Sequence, residues 1–437
     1  MVAELYLYLL FAAVGVVLCR GLVRPVRMYQ YPFFIGGMFA AFIVPQAISL
    51  VANQGFLSDG ALEGVLLMAL LCLSASWFGY RFKVNRRWLE RLDIPIDEAR
   101  LFRCGVLFVA TAYVCDYLIG GLPEEVRSSN WTGIITIYAK FATLIYLGFA
   151  ILLMRVLERP SALNVVLTVF AALLPLKTIV LYGRREPAAT FLLAIGLSLF
   201  FKRGYVPARA TVIAVILFAA LAIPLTGVYR GIASAERWDD LKELKPVEEF
   251  KKFVAEGEAL ELRNAAFIIE STQITGDYQY GAGYWNGLIF QLVPGQLVGR
   301  DLKDWLMTED VYAVRERLMT VVGYHLPEGS TKSGLGDSYE QFGYFGCVFF
   351  GLVAVFFKHL WTSATRHAST VGRLFYIALI APSLISVTHE TKRFPADVLF
   401  NLVIVGAVAV YARKRERHVL RRGLAGAGVP ARALKAK

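Results

Sequence analysis

The chain has 437 residues, of which 57% are hydrophobic and 18% are charged, and its mean hydropathy is +0.54. These values exclude a water-soluble globular protein of ordinary composition and indicate an integral membrane protein. The formal net charge is +12. We attribute this charge to membrane topology and attraction to anionic lipid, since basic and aromatic residues do not alternate as they do in nucleic-acid-binding surfaces.

Apolar segments recur along the chain at about the length that crosses a bilayer as a helix, about 17–25 residues. The first segment is followed directly by arginines and has no small-residue cleavage pattern, so we interpret it as a retained span and not as a signal peptide. The sequence therefore predicts an all-α polytopic membrane protein with about eleven transmembrane helices. They lie at roughly 4–19, 31–52, 61–80, 104–120, 133–154, 162–181, 187–201, 210–228, 338–357, 374–388 and 395–412.

The distribution of lysine and arginine over the short loops predicts the orientation. One side collects most of them and is assigned to the cytoplasm, which places the N-terminus outside and the C-terminus inside. The basic residues on that side are Arg20, Arg24, Arg27, Arg81, Lys83, Arg86, Arg87, Arg91, Arg155, Arg159, Lys202, Arg203, Arg209, Lys358, Arg366, Arg413, Lys414 and Arg415.

Four regions follow from this pattern. An N-terminal bundle of about eight helices (1–228) precedes one large extracytoplasmic loop (229–337), then about three further helices (338–412) and a basic tail (413–437) expected to be disordered. Within the large loop we expect an amphipathic helix beginning at Pro246. A re-entrant or interfacial helix is expected around 283–293, because its apolar part is too short to span comfortably.

Two hairpins on the outer side depart from the charge rule. "LYGRREP" carries Arg184 and Arg185, and "HETKRFP" carries Lys392 and Arg393; a proline follows each pair, in the expected first turn of the returning helix. A helix N-terminus beside fixed cations favours binding of phosphate. We therefore predict that these pairs bind an anionic group, the alternative being arginines that reach the lipid headgroups from helix ends.

Other charged residues are predicted near the same outer level. Lys177, Arg230 and Arg300 are further candidates for contacts with this anion, although Lys177 is equally well explained by structure. For Lys140 and Asp116 we expect a structural ion pair.

Carboxylates and one histidine are candidates for proton transfer. Asp337 is favoured as a general base, and Glu340 and His389 are further catalytic candidates. Glu270 and Asp277 are also candidates, but the sequence does not indicate where in the large loop their stretch lies. The alternative is that "SGLGD" is a loop with a helix cap near Ser338.

Aromatic residues of the large loop offer flat surfaces for sugar rings. The candidates for saccharide binding are Tyr280, Tyr284, Trp285 and Tyr339, and an ordinary interfacial aromatic belt explains any one of them equally well. The five cysteines have no metal-ligand spacing. Neither a metal nor a cofactor is expected.

Several short motifs together resemble a known family. The layout of many spans around one large outer loop, the "GRRE" turn, "YR" at the loop start, "YGAGYWNGLIFQLVPGQLVGRDLKDWL" within it and "GLGDSYEQFGYFG" at its end are similar to the Wzy-type O-antigen and exopolysaccharide repeat-unit polymerases. That family often has an arginine directly after the proline of the "VPGQ" region. Here Gln296 occupies the position, and Arg300 is the nearest substitute.

The resemblance implies a GT-C-like fold and a metal-independent glycosyltransferase in the bacterial cytoplasmic membrane. Its donor and acceptor would be oligosaccharides linked to undecaprenyl diphosphate, joined into O-antigen (lipopolysaccharide) or exopolysaccharide. A chain-length regulator and a flippase are implied partners, and nucleic acid is not.

Three alternatives remain open from the sequence. An O-antigen ligase shares the architecture and usually has a histidine in the large loop, where this chain has only His325. A transporter or flippase of lipid-linked saccharide would show repeats related across the membrane, and none is found at a fixed spacing. A structural scaffold of a secretion complex would tolerate substitution of the outer basic pairs.

Overall fold

The structure is a computed structural model, and it describes residues 2–123, 134–234, 239–240, 245–255, 260–308, 313–327 and 330–414. The predicted disordered tail lies outside the described residues from 415 onward, as does the side chain of Arg230. Nearly all of the described chain is helical, and a lone β-bridge joins Ile96 to Arg413.

The helices of the N-terminal half are numbered in chain order. They are α1 (Val2–Val23), α2 (Tyr31–Ala52), α3 (Asp59–Gly79), α4 (Arg86–Leu92), α5 (Glu98–Gly120), α6 (Ile134–Glu158), α7 (Ala162–Tyr182), α8 (Arg185–Arg203) and α9 (Arg209–Ser234).

The remaining helices include seven short ones in and after the predicted large loop. They are α10 (Pro246–Ala255), α11 (Leu260–Thr275), α12 (Ala282–Leu292), α13 (Gly295–Val298), α14 (Arg300–Leu306), α15 (Ala313–Val322) and α16 (Ser333–Phe342), then α17 (Cys347–Arg366), α18 (Thr370–Thr388) and α19 (Arg393–Ala412).

Within the described residues, nine helical segments are long and apolar enough to cross a membrane. They are α1, α2, α3, α5, α6, α7, the continuous stretch of α16 and α17, α18 and α19. The prediction of a polytopic helical membrane protein is thereby confirmed. The number eleven stays a prediction, since its two further members, α8 and α9, are helices but are not among these nine segments; of α9, the stretch Arg209–Ala222 is a shorter apolar helix.

Local sequence signals account for where many helices begin and end. Ser58, Asp97 and Ser161 each accept a backbone N–H with their side chain at the start of α3, α5 and α7, which satisfies an amide that the helix cannot pair. At the "GRRE" turn, Gly183 ends α7 with φ +55°, a left-handed conformation that glycine adopts without strain. Pro187 and Pro395 both fall in the first turn of the returning helix, as predicted.

The predicted outer loop contributes helices to the interior of the bundle. α11 carries a run of buried residues from Asn264 to Ile269 and packs against α3, α15 and α16. Near the start of α11, the Leu262 amide donates to the buried side chain of Gln46 in α2 at 2.9 Å. The segment 229–337 is therefore not simply a surface domain, because its middle completes the core that surrounds α16.

The helix α16 approaches α18 very closely. A Cβ added at Gly334 would lie 2.0 Å from the carbonyl oxygen of Ser386, so only glycine fits there. Ser333 donates to the carbonyl of Val387, and Thr331 donates to that of Thr388. These contacts fix α16 beside the end of α18 and the turn that leads into α19.

Candidate active site

The candidate site is built around α16, a short helix that is polar and yet buried. Every residue from Ser333 to Gln341 is buried, including Asp337 and Glu340. Burial of a carboxylate is costly unless hydrogen bonds or opposite charges compensate it. The partners of these two side chains therefore show what each can do.

Glu340 is fully occupied by ion pairs. Its Oε1 accepts from Arg317 Nη2 of α15 at 2.6 Å, and its Oε2 accepts from Lys332 Nζ at 3.4 Å. Arg317 also reaches Asp277 at 3.4 Å and Thr272 at 3.4 Å. With both oxygens engaged, Glu340 is better suited to holding α15, α16 and the end of α11 together than to accepting a proton.

Asp337 is bonded on one oxygen only. Its Oδ2 accepts from Thr391 Oγ1 at 2.5 Å and from the Lys392 amide at 3.1 Å. Its Oδ1 is buried and has no hydrogen-bond partner among the described residues. This arrangement fixes the carboxylate and leaves one oxygen with unused acceptor capacity, which is the geometry that a general base requires.

A tyrosine extends this contact into α12. The Tyr284 hydroxyl lies 3.2 Å from Thr391 Oγ1, and because Thr391 donates to Asp337, Tyr284 is the donor in this pair. Burial, and next the charge of Asp337, raise the pKa of Tyr284 above its ordinary value. The hydroxyl therefore keeps its proton, and a chain of hydrogen bonds runs from Tyr284 through Thr391 to Asp337.

The turn between α18 and α19 supplies the cations of the site. Burial alone would lower the pKa of Lys392, but the carboxylates of Glu390, Asp337 and Glu340 outweigh it and raise that pKa. Lys392 Nζ lies 3.3 Å from Glu390 Oε2. Lys392 is consequently a permanent cation in a cluster of carboxylates.

The other two predicted site residues of this turn, His389 and Arg393, lie at its two ends. Arg393 is half-buried and opens α19, while His389 follows α18 with its Nδ1 2.8 Å from Thr388 Oγ1. The amides of Lys392 and Arg393 donate to Asp337 and to the Glu390 carbonyl. These two amides at the helix start are therefore occupied, and a bound anion would be held mainly by side chains.

The predicted saccharide contacts differ in exposure. Tyr280 is 74% exposed, with φ 47°, and its amide donates to the Gln341 carbonyl at 2.9 Å. Trp285 is half exposed, and its Nε1 donates to the Leu306 carbonyl at 2.8 Å. Tyr339 is buried and its hydroxyl accepts from Gln273 at 3.1 Å. Tyr280 and Trp285 are thus accessible next to α16, whereas Tyr339 and Tyr284 are part of the packed interior.

The "GRRE" hairpin contacts the first turn of α11. Arg185 lies 3.9 Å from Glu261 in that turn, and Arg184 is exposed at the start of α8. One turn further along α11, Asn264 donates to the Thr331 carbonyl at 2.8 Å, and Thr331 donates to the Thr388 carbonyl at the end of α18. A short series of contacts through α11 and Thr331 therefore connects the two predicted basic pairs.

Of the remaining predicted cations, the two lysines are in ion pairs. Lys177 pairs with Asp116 at 3.0 Å, and Lys140 pairs with Asp397. Lys140 and Asp116 are thus each in an ion pair, but not with one another, and the pairing of Lys177 supports its structural explanation. Arg300 is exposed at the start of α14, and the described part of Arg230, its backbone, lies near the end of α9.

Three residues of the cluster were not among the sequence candidates. Thr391, Arg317 and Lys332 contact the two central carboxylates. Thr391 lies within "HETKRFP" and Lys332 lies directly before "SGLGD". Their positions in the sequence close to acidic residues were therefore a usable signal. Arg317 lies in α15, where no local pattern indicates a buried partner 23 residues away.

Searches for related proteins and metal sites returned no match. A comparison with protein-family models, with curated proteins and with solved structures found nothing similar to this chain. Within the part of the chain that the structure describes, no three His, Cys, Asp or Glu side chains are grouped as metal ligands.

Proposed function

We propose that this protein is a metal-independent membrane glycosyltransferase that polymerises oligosaccharide repeat units carried on undecaprenyl diphosphate, at the outer face of the bacterial cytoplasmic membrane. The observation that carries the proposal is Asp337, a buried carboxylate oriented by Thr391 and the Lys392 amide, with Oδ1 left to accept a proton. The adjacent cations supply what a diphosphate leaving group needs.

In the proposed reaction, an acceptor sugar hydroxyl attacks the anomeric carbon of the donor. Its proton passes to Asp337 Oδ1 as the new glycosidic bond forms. The bond between the anomeric carbon and the phosphate oxygen breaks, and its electron pair leaves with the lipid diphosphate. Direct displacement of this kind inverts the anomeric centre.

The leaving diphosphate requires stabilisation of its developing charge more than it requires a proton. Lys392 and Arg393 lie in the turn beside Asp337 and are the nearest candidates. Arg184, Arg185, Arg230 and Arg300 are candidates for holding a lipid diphosphate elsewhere on the outer side. Tyr280 and Trp285 offer exposed aromatic faces to the sugars.

Access is the main requirement of this mechanism. Asp337 is 1% exposed, so part of its surroundings must move when an acceptor binds, and we propose that this is α12, whose Tyr284 contacts Thr391 beside Asp337. The contacts that would have to open are those of the Gln279 and Tyr280 amides with the Glu340 and Gln341 carbonyls, and those of the Gln341 side chain with the Gln279 side chain and the Gly283 amide. Each such hydrogen bond is worth only about 0.5–1.5 kcal/mol.

The test is an assay of the purified full-length protein with undecaprenyl-diphosphate repeat units and products resolved by length. Asp337→Asn keeps the shape but cannot accept the proton, so we expect the rate of polymer formation to fall by about 10²–10⁴-fold. The matched control is Asp301→Asn, an exposed residue of α14 that should leave the rate unchanged.

Each other outcome assigns a different function. Full activity of Asp337→Asn would exclude Asp337 as the base. Transfer of a single unit to a different lipid would indicate a ligase. Movement of labelled lipid between leaflets of proteoliposomes, without any product, would replace the enzyme by a transporter.

A further inference from the structure

A cluster of cations surrounds one tryptophan at the end of the molecule opposite the candidate active site. Arg20 near the end of α1 and Arg81 just after α3 both lie over the ring of Trp77, with guanidinium carbons 4.9 and 4.8 Å from its centroid. Each contact is a cation–π interaction. The ring therefore holds two like charges within about one Debye length of each other, about 10 Å at 0.1 M salt.

Further cations lie beside this pair. Lys358 of α17 lies over the ring of Tyr80, 4.7 Å from its centroid. Arg24 and Arg27 lie in the connection between α1 and α2; burial and then the charges of Arg24 and Arg20 lower the pKa of Arg27. We call Arg20, Arg24, Arg27, Arg81 and Lys358 the basic-end cluster.

The basic-end cluster lacks counter-charges. None of its five members is in an ion pair with a carboxylate in the described part of the chain. This differs from the neighbouring group on α5, α6 and α8, where Arg155 pairs with Glu98 and Lys202 pairs with Glu158. Like charges held together without an anion repel one another, so the cluster is arranged to receive one.

The position of the cluster identifies the kind of anion. Arg20 lies in the last turn of α1, Arg24 and Arg81 follow directly on α1 and α3, and Trp77 lies two residues before the end of α3, as aromatic residues do at a bilayer interface. Arginine can hold a phosphate through two parallel hydrogen bonds. A phosphate at this depth is that of a lipid headgroup.

We propose that the basic-end cluster is a binding site for the phosphate headgroup of an anionic phospholipid. In this site, the ring of Trp77 holds Arg20 and Arg81 in position to contact the phosphate oxygens. The site is distinct from the active site proposed above, and its existence does not depend on the reaction catalysed there. It links α1, α3 and α17 through a shared anion.

The test compares lipids and inorganic phosphate on the purified full-length protein in a neutral detergent. Bound phosphatidylglycerol is counted by native mass spectrometry, and the thermal midpoint is recorded with phosphatidylglycerol, phosphatidylcholine or inorganic phosphate. We expect phosphatidylglycerol to bind and to raise Tm, with phosphatidylcholine and phosphate giving little change. If inorganic phosphate raises Tm as much as phosphatidylglycerol, the ligand is a free anion and the lipid assignment is wrong.

A charge-matched pair of variants tests the location. Arg20→Gln/Arg81→Gln should weaken phosphatidylglycerol binding by at least about tenfold, because each arginine loses its charge-assisted hydrogen bonds to the phosphate, and one such bond contributes about tenfold or more. Arg86→Gln/Arg87→Gln removes the same charge from exposed residues of the adjacent α4 and should have little effect. Equal weakening by both pairs would show attraction by net charge alone and overturn the site.

A second readout keeps the result interpretable if the double variant is unstable. Each variant's rise in Tm on adding phosphatidylglycerol is therefore measured from its own lipid-free Tm; the double variant should lose this rise, and a rise as large as that of the unaltered protein would contradict the site. Trp77→Leu retains every cation and removes only the ring between them. It should also reduce phosphatidylglycerol binding, and normal binding by this variant would contradict the proposed geometry.

Discussion

At the scale of single residues, Thr391 determines how Asp337 is held. Its hydroxyl donates to Asp337 Oδ2 at 2.5 Å and accepts from Tyr284 at 3.2 Å. Thr391→Val keeps the shape but removes both contacts, and a lost hydrogen bond to a charged group costs about 1.5–3 kcal/mol. We expect kcat of polymer formation to fall by about tenfold or more with little change in KM.

The control for this prediction is Thr391→Ser, which restores the hydroxyl and should recover most of kcat. Tyr284→Phe removes only the outer donor and is expected to have a smaller effect on kcat than Thr391→Val. If Thr391→Val lowered Tm but left kcat intact, Thr391 would have a structural role only, and the positioning of Asp337 would not matter for catalysis.

At the scale of elements, α16 is placed by its close approach to α18. Alanine at Gly334 would put a Cβ 2.0 Å from the Ser386 carbonyl oxygen, and backbone must then move because no rotamer relieves the clash. Overpacking of this kind costs about 1–3 kcal/mol. Gly334→Ala should lower Tm and, because Asp337 lies one turn further along α16, should lower activity as well.

The matched control is Gly406→Ala in α19. No atom lies within 4 Å of a Cβ built there, and alanine is a better helix former than glycine by about 1 kcal/mol. Tm should therefore stay the same or rise. A Gly334→Ala variant as stable as Gly406→Ala would show that α16 and α18 are not packed as closely as described.

The sequence predicted the elements better than their packing. Apolar segments, caps and the two proline-containing turns follow local rules, so most helices, including α12 and the start of α10 at Pro246, were found where expected. The ninth span was expected to begin near 338, and the structure instead forms α16 from Ser333 before α17. Local patterns cannot show that a polar helix is buried, because its burial depends on partners far away in the chain.

For the candidate site as well, the sequence predicted the residues better than their contacts. The turn that carries Lys392 and the segment that carries Asp337 were both singled out from sequence, and they are in contact. The expected convergence of the "GRRE" hairpin on the same point stays a prediction: Arg185 contacts Glu261 in the first turn of α11, and Asn264 of the same helix contacts Thr331 just before α16. Charge and hydropathy identify polar residues in apolar surroundings, but they carry no information on which of these residues meet.

At the scale of the whole molecule, the orientation depends on whether α8 crosses the membrane. α8 has 19 residues, about 28 Å at the helical rise, close to the hydrocarbon thickness of about 30 Å. It packs along α6 and α18, both candidate spans, and its charged residues lie at its two ends. We therefore expect α8 to cross the membrane together with these neighbours.

Single cysteines on the two sides of α8 test this expectation. In a background without the five native cysteines, Arg184→Cys should react with a membrane-impermeant maleimide in intact cells, since the "GRRE" turn is expected outside. Tyr205→Cys lies after α8 among Lys202, Arg203 and Arg209 and should react only after permeabilisation, because basic loops are retained in the cytoplasm. Reaction of both cysteines from the same side would mean that α8 does not cross, and the sidedness of every later helix would then need to be reassigned.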